Sequence, residues 1–171
     1  TQRDIFKPLV NKYNGDWGKE MGDGLLLIFD TVMDAVECCI ELQTSAQSID
    51  DLNLRIGIHQ GEILLVGDDV IGDDVNIASR AEPFSEPGGI AITDRVNASL
   101  MREPAYKTKL IGKPSLKGVR QEISLFCIIS HNLPETDISR VAAKLEDSDK
   151  TTGLPGGADS IQNKTTQPST S

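Results

Sequence analysis

Cysteine and histidine are scarce in this chain, with three of the first and two of the second among 171 residues. Cys38 and Cys39 are adjacent in a segment of helical periodicity, and Cys127 falls in a strand-like run. Neither a disulfide framework nor a zinc site is indicated. Positive charge is also short. Seventeen Lys and Arg against 26 Asp and Glu leave a net charge of −9, which opposes nonspecific attraction to nucleic acid or to an anionic membrane. A nucleotide ligand is still admitted, because the local charge of a site can oppose the global one. No apolar run reaches the length of a membrane span, and no signal peptide is visible. The expected compartment is therefore reducing and cytoplasmic, with membrane attachment left open for a full-length protein. No Ser-His-Asp or Cys-His pattern suggests nucleophilic catalysis.

What is present fits a globular domain. At 38% hydrophobic and 25% charged residues, the composition can bury a core, and the length suits one domain with some tail left over. Ile5, Phe6, Leu9, Val10 and Tyr13 recur at helical spacing, predicting a helix that ends near Asn14-Gly15. Residues 16–21 and 25–29 read as two strands around Gly22-Asp23-Gly24, strong turn chemistry. Asp30 is placed to cap a helix whose stripe is Val32, Ala35, Val36, Cys39, Leu42 and Ala46. Residues 54–59 alternate strictly, which predicts a strand with Leu54, Ile56 and Ile58 on a single buried side. Residues 62–66 continue extended, Gly67-Asp68-Asp69 turns the chain, and a helix begins near Val75. Residues 90–93, 106–111 and 123–129 read as strands, with a helix over 94–101 and a short one within 135–147. From Ser148 the composition predicts a disordered tail or linker. The alternation of elements indicates α/β or α+β, a sheet covered by helices.

Four motifs stand out: Lys19-Glu-Met-Gly-Asp-Gly24, Gly67-Asp-Asp-Val-Ile-Gly-Asp-Asp-Val-Asn-Ile-Ala-Ser-Arg80, Glu86-Pro-Gly-Gly-Ile-Ala-Ile92 and Ser115-Leu-Lys-Gly118. Taken singly, each has a bland reading: a surface hairpin, or an acidic helix start complementing the dipole. Asn76 and Arg80, four apart on one helical face, resist it somewhat, since a neutral donor beside a fixed cation suits a phosphate. Among single residues, Asp68, Asp73 and Asp74 are read as a solvated acidic loop. His59 is read as a packed or hydrogen-bonded histidine, His131 as exposed, and Trp17 as an anchor of the hairpin to the core. Glu62 is assigned nothing.

In this order and with these gaps, the motifs resemble the catalytic domain of the class III nucleotidyl cyclases, over residues 1 to about 130. The resemblance implies an α+β sandwich with a ferredoxin-like βαββαβ sheet, followed by a short helical extension (131–147) and the tail (148–171). It implies conversion of ATP to 3′,5′-cyclic AMP and pyrophosphate. Asp23 matches a metal-binding aspartate of a two-metal site for Mg²⁺ or Mn²⁺. Lys19 and Asp69 match the pair that reads the purine edge; a lysine donor to adenine N1 and a carboxylate accepting from the 6-amino group favour ATP over GTP. Asn76 matches the residue orienting the ribose, Arg80 the one stabilising charge on the reacting phosphate, and Lys117 the one holding the triphosphate. The resemblance further implies a homodimer, or a paired cyclase domain, whose sites form between head-to-tail protomers, and a regulatory domain elsewhere in the full-length chain. The pattern departs at the start. The family's opening strand, with its first metal aspartate, has no counterpart; Asp4 lies in a helical run and is not counted. A chain beginning at Thr1 is therefore expected to be cut from a longer protein and, alone, poorly active. The alternative expectation is a catalytically inactive nucleotide-binding or dimerising module that kept the fold.

Overall fold

The structure, a computed structural model, describes residues 2–21, 24–49, 52–66 and 69–150. The chain opens with α1 (Gln2–Lys12), which ends where Asn14 takes a positive φ of 60°. The hairpin β1 (Asp16–Met21) and β2 (Gly24–Ile28) follows, pairing Asp16 with Ile28 and Met21 with Gly24. Next is α2 (Val32–Ala46), whose predicted stripe is wholly buried together with Cys38 and Gln43. Its cap is Thr31 rather than Asp30: Thr31 Oγ1 accepts from the Asp34 amide at 3.0 Å, the geometry an N-cap hydroxyl supplies to an orphan first-turn donor.

The remaining strands are β3 (Ile56–Ile58), β4 (Leu64–Val66), β5 (Asp69–Ile71), β6 (Ile90–Thr93), β7 (Thr108–Gly112) and β8 (Leu125–Ile128). The helices are α3 (Asp73–Ala81), α4 (Asp94–Leu100) and α5 (Ile138–Lys150), with one 3₁₀ turn, Glu82–Phe84, closing α3. Asp69 thus opens a strand paired with β4 instead of standing in a turn; Gly67 and Asp68 lie outside the described residues.

Strands β3, β6, β8 and β7 form a four-stranded sheet in that order, β3 and β6 parallel and the other pairs antiparallel. Period-two alternation divides its side chains between two layers. Ile56, Ile58, Ile90, Ile92 and Ile128 enter a core shared with α1, α2 and the hairpin residues Leu27 and Phe29. Ala91, Leu125 and Cys127 face a second core built with Ile77, Ala81, Phe84 and Val141. Strand β3 is consequently buried on both sides, where the alternation 54–59 predicts one. The hidden side shows no apolar residue because Gly57 serves it, beneath α3. The three cysteines are free and buried. Among the described residues no helix is long and apolar enough to cross a membrane.

Two further features set the frame. Buried Gln43 donates to the carbonyls of Leu54 (3.0 Å) and Gly89 (2.7 Å), tying α2 to the Pro87-Gly88-Gly89 turn, where Gly88 has φ 86°. That turn is shape-determining, since left-handed backbone favours glycine. Helix α5 reaches Lys150, past the predicted boundary at 147. It packs Val141 into the second core, and Arg140 Nη2 and Lys144 Nζ donate to the carbonyls of Ser85 (3.0 Å) and Pro83 (3.1 Å). The tail expected over 148–171 is corrected at its start, since residues 148–150 continue α5; residues 151–171 lie outside the described residues.

The sheet lies close against α3 and its 3₁₀ turn at Gly57, where an added β-carbon would stand 2.7 Å from the Glu82 amide nitrogen and 3.0 Å from the Ala78 carbonyl. Both are backbone atoms that cannot rotate away. Gly57→Ala is expected to lower stability by about 1–3 kcal/mol, the usual range for overpacking, read as a shift in urea midpoint at unchanged m-value.

Candidate active site

Strand β5 runs directly into α3, so residues 69–81 form one continuous arm. Lys19 lies on β1 and Asp69 at the start of β5, and these two strands touch. The expected purine-reading residues therefore sit on neighbouring backbone segments. Asp23 lies outside the described residues. Asn76 is exposed on α3 and Arg80, one turn on, is half-buried. Arg80 Nε donates to the Lys117 carbonyl at 3.2 Å. That bond joins α3 to the loop between β7 and β8, in which Gly118 has φ 79° and the exposed Lys117 stands. Beside this junction Asp73, Ile77, Gly118, Val119, Arg120 and Gln121 line a cavity of roughly 500 Å³. The structure thus puts Lys19 and Asp69 on strands that touch, and joins Arg80 to the Lys117 carbonyl by a hydrogen bond.

Asp74 corrects the sequence reading. It is no part of a solvated loop: its side chain is 16% exposed and its Oδ1 lies 2.8 Å from Nε2 of His59, which is fully buried. Asp74 Oδ2 accepts from the Glu62 amide at 2.8 Å, and the Arg95 guanidinium stands 3.9 Å from Oδ1. On the far side of the ring, His59 Nδ1 lies 2.7 Å from the buried Thr93 hydroxyl. An ionised carboxylate can only accept, so Nε2 carries the proton and Nδ1 accepts from Thr93 in the neutral ring. Burial, the largest influence, holds the His59 pKa below its ordinary value, against the opposing pull of the Asp74 carboxylate.

Sequence reasoning missed this network, although a signal for it exists. Arg55, Gly57, His59 and Gly61 alternate on the strand side opposite Leu54, Ile56 and Ile58. Asp74, Ala78 and Glu82 recur every fourth residue, a spacing that stacks them on one helical face. The two series meet, and Arg55 Nε pairs with the buried Glu82 carboxylate at 2.9 Å.

Residues 10–130 match the model of the adenylate and guanylate cyclase catalytic domain. The chain belongs to this family. It is 36% identical over 102 residues to putative adenylate cyclase 3 of Rhizobium meliloti, covering 56% of this chain and 17% of that protein. It is 26% identical over 133 residues to the serine/threonine-protein kinase pkn2 of Myxococcus xanthus, covering 74% of this chain and 16% of that protein. The chain thus spans about a sixth of the length of these relatives. Among solved structures, an adenylate/guanylate cyclase/hydrolase from Silicibacter pomeroyi superposes with a TM-score of 0.66 at 26% identity, over 78% of this chain and 80% of that one. The mixed α+β architecture is that of cyclase catalytic domains, and the chain is a class III adenylate/guanylate cyclase catalytic domain.

The cyclase domain should lose stability in acid through His59. With its folded pKa depressed, the unfolded chain binds the proton first, so stability is full above the unfolded value near 6.5 and erodes as the pH falls below it. Urea titrations of wild type and His59→Gln between pH 7.5 and 5 should show the steeper decline in wild type.

Proposed function

We propose that this domain converts ATP to 3′,5′-cyclic AMP and pyrophosphate in a site shared between two head-to-tail copies or paired cyclase domains. The observation that carries the reading is the hydrogen bond from Arg80 to the Lys117 carbonyl. It sets a fixed guanidinium beside a lysine-bearing loop, within a chain whose overall charge is negative. Such a pair can hold a triphosphate and oppose charge that develops on it, which is most of what phosphoryl transfer asks of a protein.

In this reading Lys117 holds the triphosphate, Asn76 orients the ribose, and Arg80 stabilises the reacting phosphate. The ribose 3′-oxygen attacks the α-phosphorus while the bond to pyrophosphate breaks in line. Lys19 and Asp69 read the purine edge, and their donor-acceptor order supports ATP over GTP, as does the similarity to putative adenylate cyclase 3 of Rhizobium meliloti. Dependence on two divalent ions, Mg²⁺ or Mn²⁺, belongs to the proposal, with Asp23 the candidate ligand. Among the described residues no group of three or more His, Cys, Asp or Glu side chains could hold a metal. The assignment of metals to this chain therefore rests on the sequence pattern around Asp23.

Arg80→Ala or Asn76→Ala in the full-length protein should reduce turnover by orders of magnitude with modest change in KM, the signature of contacts that strengthen at the transition state. Mixing an Asp23→Ala chain with an Arg80→Ala chain should restore activity, because one composite site of such a pair keeps both groups. A dimeric mixture that stays silent would refute shared sites. Independently, Lys19→Glu combined with Asp69→Cys should move preference toward GTP in competition assays; retained ATP preference would overturn the base-reading assignment.

A further inference from the structure

Helix α3 carries Asn76 and Arg80 on one face and rests on the opposite one. Asp74 and Asn76 are two residues apart, about 200° around the helix axis. Whatever fixes the direction of Asp74 therefore fixes that of Asn76 and, one turn later, of Arg80. Three neighbours fix it: the His59 ring at 2.8 Å, the Glu62 amide at 2.8 Å, and Gly61, where any β-carbon would collide with the Asp74 side chain. The His59 ring cannot turn to follow a drifting helix, because Thr93 holds its other nitrogen at 2.7 Å within full burial. At the other end of α3, Gly57 and Arg55 receive Ala78 and Glu82.

We propose that His59 and Asp74, with Gly61 making room for them, are positioning residues for the cyclase reaction: they lock the rotation of α3 so that Asn76 and Arg80 face the substrate. The proposal rests on the functional reading given above, and His59 and Asp74 are assigned no contact with substrate. Positioning of reacting groups governs rate steeply, so a helix rotated by even a small angle is felt in turnover before it is felt in binding.

Three variants of the full-length protein separate the possibilities. His59→Leu removes both hydrogen bonds. Gly61→Ala leaves both donors in place but evicts the carboxylate. His59→Gln keeps an amide donor near the position of Nε2. With ATP and Mn²⁺, His59→Leu and Gly61→Ala should lower kcat at least tenfold with KM changed less than threefold, and His59→Gln should recover most of the loss. Equal falls for Gln and Leu, or a rise in KM alone, would overturn the proposal. Backbone hydrogen exchange without nucleotide gives a second arm: exchange should rise over residues 73–82 in His59→Leu and Gly61→Ala while residues 125–128 stay protected. Unchanged exchange over 73–82 would overturn the proposal whatever the activity. A wild-type protein that makes no cyclic AMP would instead sink the functional reading, and the exchange arm alone would then decide whether this seat holds α3.

Discussion

A carboxylate pressed against a buried, uncharged imidazole is the constraint around which this domain is arranged. The bond between Asp74 and His59 is charge-assisted and largely removed from water, conditions that make it stronger than a neutral pair and costly to leave half-made. It joins the start of α3 to the end of β3, and through Thr93 it reaches the junction of β6 and α4. Three elements that are far apart in sequence are therefore registered to one another by a single ring. The glycines at 57 and 61 are the steric complement of that bond, since they let a helix lie against a strand where side chains would otherwise hold it off.

Electrostatics divide the molecule in two. Overall the chain is acidic, which keeps it from binding polyanions indiscriminately. Locally, α3 and the loop before β8 bring Arg80 and Lys117 together, with Arg120 lining the adjacent cavity. In the proposed reading the triphosphate is held there, without the surface at large becoming attractive to nucleic acid or lipid headgroups. Because Arg80 is oriented by a backbone carbonyl rather than by a carboxylate, its charge is not neutralised by that contact. The guanidinium has further donors to offer a phosphate.

Much of this was legible in the residues. The hairpin, the apolar stripe of α2, the strand 90–93 and the family resemblance all follow from periodicity, turn chemistry and motif order. Trp17 packs against the core as read, and His131 is exposed as read, stacked on Tyr106. The failures share a physical origin. Periodicity reports apolar faces, and β3 is buried on its second face by Gly57 and His59, which carry no apolar signature. Asp74 reads as solvated because acids near a helix N-terminus usually are; its partner lies fifteen residues away across a hairpin, a distance that no local pattern spans. Asp30 lost the cap to Thr31 by one position, within the ordinary uncertainty of helix ends. The roles of Lys19, Asp23 and Asp69 stand on motif order; of the three, the structure sets Lys19 on β1 and Asp69 on β5.

The β1–β2 hairpin and the four-stranded sheet share one core, yet no ladder joins them among the described residues. Side-chain packing against α2 is what couples the two, and α2 works as a splint laid across both. Dispersion contacts, unlike backbone hydrogen bonds, have no preferred register. Lys19 rides on that hairpin while Asn76 and Arg80 ride on a helix locked to the sheet. The end of the site assigned to the base is thus carried by side-chain packing, and the end assigned to the phosphates by a helix bonded to the sheet through His59.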